Sequence, residues 1–436
     1  MGNKSEGGRR FRPQGGAFRR SRRVGLVSLA AVAGLIAAGC GSSGSSSSSS
    51  TPSGSNTIPK VTINSFKVSI GPTMSAFKPL TQFATKGATS LQVGVVLPDT
   101  TSSTRWVDFD QPYLKQAFTA AGYTSAEFRI QNAQGSDATQ LSDATADINL
   151  GAKILIVCPL DGPTGVAIAK LAESKGVILI AYDRAIFQGT STYYVSFDNQ
   201  QVGNLIGMGF QQCVTAWGVS SPKVFTLDGG EDTDSNSIAF ATGYNKAVWG
   251  QAAKSVPAGT TNSAGMTLVG ETYAPGWNNT KGGQIFQQAF TANRQINATI
   301  EANDGLAGAV ITDLKGAGVK AKTIPTVGQD ATAQGMAYVL ENWQCGSVYK
   351  AIYKEAQDSV ALATILLAGD TPPSGLLNGK TINPADTTVT EPASLSVPVW
   401  VTAANMESTV VADGFDTASA ICGIAGADVC SANNIK

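Results

Sequence analysis

Six consecutive apolar residues, Val177-Ile178-Leu179-Ile180-Ala181-Tyr182, run straight into the opposite charges Asp183 and Arg184. A run that is short and apolar at every position reads as a strand covered on both faces, the situation of a parallel sheet held between helices. In such a sheet the ligand crevice lies outside the carboxyl ends of the strands. Asp183 and Arg184 are therefore expected as ligand contacts, the plain alternative being an ion pair that caps an ordinary strand. After Gly189 a second β-rich run, Thr192 to Phe197, ends in Asp198-Asn199 and reads as a hinge strand between two lobes.

Strand and helix alternate on both sides of this stretch. Before it, strands are expected at 91–97, 127–130 and 154–158. Helices are expected over 106–121, over 137–151 with Asp137 as cap and Gln140 in capping-box position, and over 163–175. After it the spacing predicts helices over 199–217, 237–250, 279–292, 304–317, 332–341 and 351–367. Strands are expected over 223–227, 266–270, 296–301, 324–327 and 346–349. Successive βαβ units make parallel sheets with helices on both faces, and the body is too long for a single core. The fold class is α/β, with two doubly wound parallel-sheet lobes. Residues 56–90 show only hints, a strand near 61–70 and a short helix over 74–83.

The first 40 residues read as an address. Eight are basic and one is acidic, and an apolar run from Val24 ends in Ala37-Ala38-Gly39-Cys40. Small residues before a cysteine resemble a bacterial lipobox, which makes Cys40 the lipidated N-terminus and residues 1–40 a lipoprotein signal; an uncleaved anchor is the alternative. Either way the body is expected outside the cytoplasm, on the outer face of the membrane. Residues 41–55 are nearly all Ser and Gly, a flexible tether spanning roughly 20 Å; the poorly defined segment after it extends to residue 73.

Without residues 1–40 the chain carries 23 basic and 30 acidic side chains, an acidic body with no basic stripe, which argues against nucleic acid. The absence of histidine removes His-based triads, His general bases and His metal ligands. Of the five remaining cysteines, Cys158 lies in an apolar strand and reads as a buried thiol. Cys422 and Cys430 lie close together and are expected to pair, which leaves Cys213 and Cys345 as the second pair. No CxxC spacing occurs, so neither redox catalysis nor a metal site is expected.

Two near-motifs fail. Gly375 to Thr381 resembles a phosphate loop, but with the wrong glycine spacing and no strand before it. Asp232, Asp234 and Asn236 open like a calcium loop, but Ser237 replaces the turn glycine and Gly243 the bidentate Glu. What survives is a set of polar and aromatic residues at strand ends: Asp99, Arg105, Trp106, Asp183, Arg184, Asn236, Trp277, Asn303, Asp304, Asp330 and Lys350. Planar Asp, Asn and Arg groups pair with hydroxyls that both donate and accept, and indoles suit the C–H faces of a sugar ring. For the tryptophans the alternative is core packing; for Asn303 and Asp304, capping of the next helix; for Lys350, a solvated hinge charge.

Several segments taken together carry a family resemblance. They are Thr104-Arg105-Trp106, Leu179 to Arg184, Ser196-Phe197-Asp198-Asn199, Ala302-Asn303-Asp304, Gly328-Gln329-Asp330-Ala331, Val348-Tyr349-Lys350 and Val411-Ala412-Asp413-Gly414-Phe415. From about residue 91 to 418 the chain resembles the type I periplasmic binding proteins of ABC sugar importers. The resemblance implies sugar contacts at Arg105, Asp183, Arg184, Asn236, Asn303, Asp330 and Lys350, with stacking rings at Trp106 and Trp277. It implies three crossovers, near 196–199, 349–351 and 370–395. One lobe would then comprise 75–198 plus 351–371, and the other 199–350 plus 372–418, with 419–436 a cysteine-containing tail. It further implies a monomer that captures a monosaccharide, xylose in first place or another aldose such as glucose, and hands it to an ABC permease without cofactor or covalent chemistry. Two other classes stay in view: a sensor presenting the same sugar to a membrane receptor, and a glycosidase built on Asp183 and Asp330. Against the glycosidase, Arg184 beside Asp183 favours an ionised carboxylate, a poor general acid.

Overall fold

Apolar runs punctuated by glycine and by short polar caps form the first sheet. In chain order its strands are β1 (Val93–Leu97), β2 (Phe128–Asn132), β3 (Ile154–Val157), β4 (Ile178–Tyr182) and β5 (Thr192–Phe197), with α1 (Gln111–Ala120), α2 (Asp137–Asn149) and α3 (Gly162–Ser174) between them. Every residue of β1 and β3 is buried, as a strand covered on both faces requires. The computed structural model describes Phe77, Leu80, Thr81 and residues 88–436 except 189–191 and 384–385. The expected signal segment with Cys40, the tether and the hints before residue 77 lie outside these described residues.

The second sheet comes next, with α4 (Asn199–Ala216), β6 (Lys223–Gly229), α5 (Ser235–Trp249), β7 (Thr267–Ala274), α6 (Asn279–Ala292), β8 (Ala298–Glu301), α7 (Asp304–Gly316), β9 (Gly328–Gln329), α8 (Ala333–Leu340) and β10 (Ser347–Tyr349). The chain then returns to the first lobe as α9 (Ile352–Leu367). Thirteen of the sixteen residues of α9 are buried, so it is a central helix and not an amphipathic cover. After it come β11 (Gly379–Ile382) and β12 (Thr390–Ser396). The last strand, β13 (Val399–Val401), and the tail helices α10 (Ala418–Ala425) and α11 (Ala427–Ala432) complete the chain.

The first sheet has the order β11-β12-β5-β4-β3-β1-β2 and is parallel except for the β11–β12 hairpin. The second lobe holds the sets β7-β6-β8 and β9-β10-β13, with β13 antiparallel to β10. Backbone N–H of Thr299 donates to the Pro325 carbonyl at 2.9 Å and links the two sets. Proline has no N–H to return, so the strand expected at 324–327 appears instead as the two residues Gly328–Gln329. The chain crosses between sheets around 197–199, 350–352 and 396–399. The third crossing corrects the expected domain limits: β12 pairs in register with β5, from Ala393 on Tyr194 to Ser396 on Phe197, so residues 379–396 complete the first sheet. Only the chain beyond Ser396 joins the second lobe.

Capping explains most helix starts. Asp161, Asp198, Asp234, Asn278, Asn303 and Thr332 each accept a backbone N–H from the first turn of the next helix. For α2 the cap is Ser136, not Asp137. Gln140 is buried and spans two backbone groups, donating to the Cys158 carbonyl at 2.8 Å and accepting from Leu160 N–H at 2.9 Å. The helix expected over 106–121 begins as a wide π-type turn, Trp106–Asp110, before α1.

Cys213 on α4 is bonded to Cys345 just before β10, and Cys422 to Cys430 across the α10–α11 corner; Cys158 is buried and unpaired. The first bridge closes 132 residues of chain and the second only 8. Replacing Cys213 and Cys345 together by Ser is expected to lower the unfolding free energy of the second lobe by about 2–5 kcal/mol, and the tail pair by less. Urea unfolding of the two double variants checks this ranking, and the reverse order would show that the long bridge does not constrain the unfolded chain.

Glu301 ends β8 fully buried. Burial pushes its carboxyl up to about 8, although its Oε2 accepts the Val327 N–H at 3.0 Å. Its Oε1 has no partner among the described residues. The folded protein keeps a proton that the unfolded chain gives up near pH 4.3, so this contribution is complete below that value and is lost as pH rises towards about 8. Relative to Glu301→Gln, the wild type should lose melting temperature steadily between pH 5 and 8. Parallel melting curves across that range would show that Glu301 does not titrate there.

Candidate functional site

All nine side chains proposed from the sequence as contacts line one cavity between the two sheets: Arg105, Trp106, Asp183, Arg184, Asn236, Trp277, Asn303, Asp330 and Lys350. Each stands just past the carboxyl end of a strand or at the start of the next helix, the position that the topology of open α/β sheets opens to a ligand. Free space between these walls is about 30 Å³, roughly room for one water molecule. Larger chambers lie at the cleft mouths. One of about 580 Å³ meets the inner cavity at Arg184, and its walls mix the apolar Val166, Ile186, Phe187 and Ile238 with the charged Asp161, Asp232, Asp234 and Lys254.

Arg105 organises the first-lobe wall. Its Nε and one terminal nitrogen grip Asp110 at 2.9 and 2.8 Å, that same nitrogen also donates to Glu355 at 2.8 Å, and the other donates to Asp183 at 2.7 Å. Burial alone would disfavour the cation, but the three carboxylates outweigh it and hold the guanidinium well above its ordinary pKa. One of its five N–H groups remains for a ligand. The Arg105 guanidinium also lies 4.4 Å from the centroid of Trp106, whose indole N–H donates to Ser102 Oγ at 3.1 Å. Ser102 in turn donates to Asp99 at 2.7 Å. Asp99 therefore shapes the loop and does not line the cavity.

Asp183 sits at φ +61°, in the left-handed region. Its carbonyl is held there by the hydroxyls of Tyr194 at 2.7 Å and Ser196 at 3.1 Å. Burial raises its carboxyl, but Arg105, Lys350 and Arg184 overrule this and hold it far below the usual carboxylate range, so it stays ionised. Its Oδ2 accepts from Asn236 Nδ2 of the second lobe at 3.0 Å, and Asn236 Oδ1 accepts from the hinge residue Asn199 at 2.9 Å. Arg184 donates to the Pro159 carbonyl at 3.0 Å and lies 3.7 Å from Asp234.

On the second-lobe wall Asp330 stands at φ +100°. Burial raises its carboxyl against the pull of Lys350 and Arg105, and its Oδ2 accepts from Ser103 of the first lobe at 3.2 Å. Lys350, 2% exposed, lies between a carboxylate of each lobe, 3.5 Å from Asp183 and 3.7 Å from Asp330. These long contacts leave its ammonium room for a closer acceptor, and burial excludes the solvated hinge charge. Asn303 Oδ1 caps α7 through the Leu306 N–H at 2.8 Å while the residue lines the cavity. Asp304 turns away to tie Gln344, Ser347 and Thr332 together, and burial pushes its carboxyl up to about 7.

Trp277 combines both roles that the sequence left open. It lines the cavity, yet it also packs on Gly229 and Gly230, meets Phe240 edge-on at 6.1 Å and donates its indole N–H to Asp234 at 2.9 Å. A Cβ on Gly229 would strike the indole, which fixes glycine there. Four lining residues, Ser102, Ser103, Phe240 and Gln329, escaped the sequence reading. Phe240 stands one helical turn after Asn236, a spacing that could have revealed it. Asp110 and Glu355, which aim Arg105, carry no such local signal.

The arrangement offers fixed donors, fixed acceptors and two indoles to a small polyhydroxylated ring. Three comparisons bear on it. A family model described as "Periplasmic binding protein domain" matches residues 93–371. The D-xylose-binding periplasmic protein of Escherichia coli K12 is 28% identical over 334 residues, covering 75% of this chain and 92% of that one. Its counterpart from Haemophilus influenzae is 30% identical over 298 residues, covering 68% and 83%. Among solved structures, a carbohydrate transporter solute-binding protein from Chloroflexus aurantiacus in complex with D-glucose aligns at a TM-score of 0.64 with 25% identity, covering 76% of this chain and 98% of that one. The Caulobacter myo-inositol-binding protein shares the fold at a TM-score of 0.58 and 19% identity, covering 74% and 96%. With two doubly wound lobes, three crossings and this match, the chain belongs to the periplasmic binding protein family, in its type I fold.

Proposed function

We propose that the protein captures a monosaccharide between its lobes outside the cytoplasm and delivers it to an ABC permease. D-xylose is the first candidate, and another aldose such as glucose is the second. The observation that carries the reading is the convergence between the lobes of Asp183, Asp330, Arg105, Lys350, Asn236, Asn303 and two indoles. The relatives named for xylose support the pentose, and the structural neighbour holding D-glucose supports the hexose. Lipidation at Cys40 would hold a monomer beside its permease at the outer face of the membrane. A sensor passing the same sugar to a membrane receptor would use the same site, and co-purification of a permease or a receptor distinguishes the two.

In this reading Asp183 and Arg105 bind from the first lobe, and Asp330, Asn303 and Trp277 from the second. The ligand then stabilises the closed form through contacts that an open cleft cannot make. A thermal-shift screen over pentoses and hexoses identifies the sugar, because a ligand at 100 times its Kd adds about 2.7 kcal/mol.

Asp330→Asn is the cleanest test of the second-lobe half, since Asn tolerates the positive φ that Ala would strain. Losing the charged acceptor is expected to weaken binding by roughly 1.5–3 kcal/mol in calorimetry while the ligand-free melting temperature changes little. Trp277→Ala should lower both affinity and stability, because the indole is also a core group. If Asp330→Asn binds like the wild type while Asp183→Asn does not, the sugar sits on the first lobe alone.

A further inference from the structure

Gln329 ends β9 and pairs with Val348 of β10, directly before Asp330. Its side chain is 4% exposed and lines the inner cavity. Its Oε1 is buried without a hydrogen-bond partner, and no described residue bonds its Nε2. Gln140, also buried, bridges two backbone groups, while Gln344 donates to Asp304 at 2.8 Å and to the Gly346 carbonyl at 3.1 Å and leaves its own Oε1 unbonded. A buried amide oxygen without a hydrogen bond is costly, and a purely structural position would be served better by an apolar side chain of the same shape. Beside it Asp330 Oδ1 also lacks a hydrogen bond, with only the Lys350 ammonium near it at 3.7 Å.

We propose that Gln329 is a specificity-determining ligand contact: one ring hydroxyl donates to Gln329 Oε1 and a neighbouring one to Asp330 Oδ1. Both oxygens are acceptors and each hydroxyl has one proton to give, so the pair selects a sugar with hydroxyls at both ring positions and rejects one lacking the hydroxyl that Gln329 reads. Rejection is strong because that oxygen would then stay buried and unpaired. This inference rests on the monosaccharide reading above.

The test is Gln329→Met, which keeps the length of the side chain and removes both hydrogen-bonding ends. Titration calorimetry is run with the best sugar of the screen and with its monodeoxy analogues, and melting is followed without sugar. The variant is expected to bind the parent sugar roughly ten- to a hundredfold more weakly. One monodeoxy analogue should bind wild type and variant alike, which marks the hydroxyl that Gln329 reads. The ligand-free melting temperature should hold or rise, because an unbonded amide has been replaced by an apolar group. Unchanged binding of the parent sugar overturns the role of Gln329 while leaving sugar binding intact. An equal loss for every analogue, or a lowered melting temperature, assigns Gln329 to packing and also overturns it. If the wild type binds no sugar at all, the monosaccharide reading itself falls, and this inference with it.

Discussion

One buried guanidinium holds the site together. Arg105 gathers Asp110 from the turn after β1, Asp183 from the end of β4 and Glu355 from α9, three pieces of chain otherwise free to drift. A buried charge is tolerable only when its partners are complete, so the strand ends cannot move apart without stranding it. Tyr182 adds its hydroxyl to Asp110 at 2.6 Å, and burial lifts Glu355 well above the ordinary carboxylate range, which limits the surplus of negative charge around one cation. The network places Asp183 and leaves its second oxygen for the other lobe.

Beside this half, the contacts that join the lobes across the cavity are a little longer. Asn236 reaches Asp183 at 3.0 Å, Ser103 reaches Asp330 at 3.2 Å, Ser235 accepts the Ala185 N–H at 3.2 Å, and Arg184 stands 3.7 Å from Asp234. The bonds inside the Arg105 network are 2.7–2.9 Å. A receptor that must both grip and release needs this asymmetry: a preformed half-site, and a closure whose free energy the ligand can decide. Under the function proposed here, the sugar would supply what Lys350 and Asp330 lack in the closed form.

Much of this was legible in the sequence because it is local. An apolar run that stops at a charge shows the strand, its end and the residue presented there, so Asp183, Asn303, Asp330 and Lys350 could be placed from neighbours alone. What aims them could not. Asp110 and Glu355 touch Arg105, but Glu355 lies 250 residues away from it, and an acidic residue inside a helix gives no sign of an inward partner. β11 and β12 were missed for a related reason. Their sequences, GKTI and TEPASLS, carry few large apolar residues, because an edge hairpin is half exposed and draws its stability from the ladder to β5. Trp277 was ambiguous because it does two things at once, and the glycines that show this stand almost fifty residues earlier in the chain.

The threading of the chain also governs the order in which it can fold. The first lobe's sheet lacks β12 until residue 396 has been made, and by then all of β6 to β10 has already emerged. Until that point β5 is a bare edge, with its unpaired N–H and C=O groups open to any passing strand. Neither lobe can finish independently of the other, and the segment that closes the first comes after the second is nearly complete.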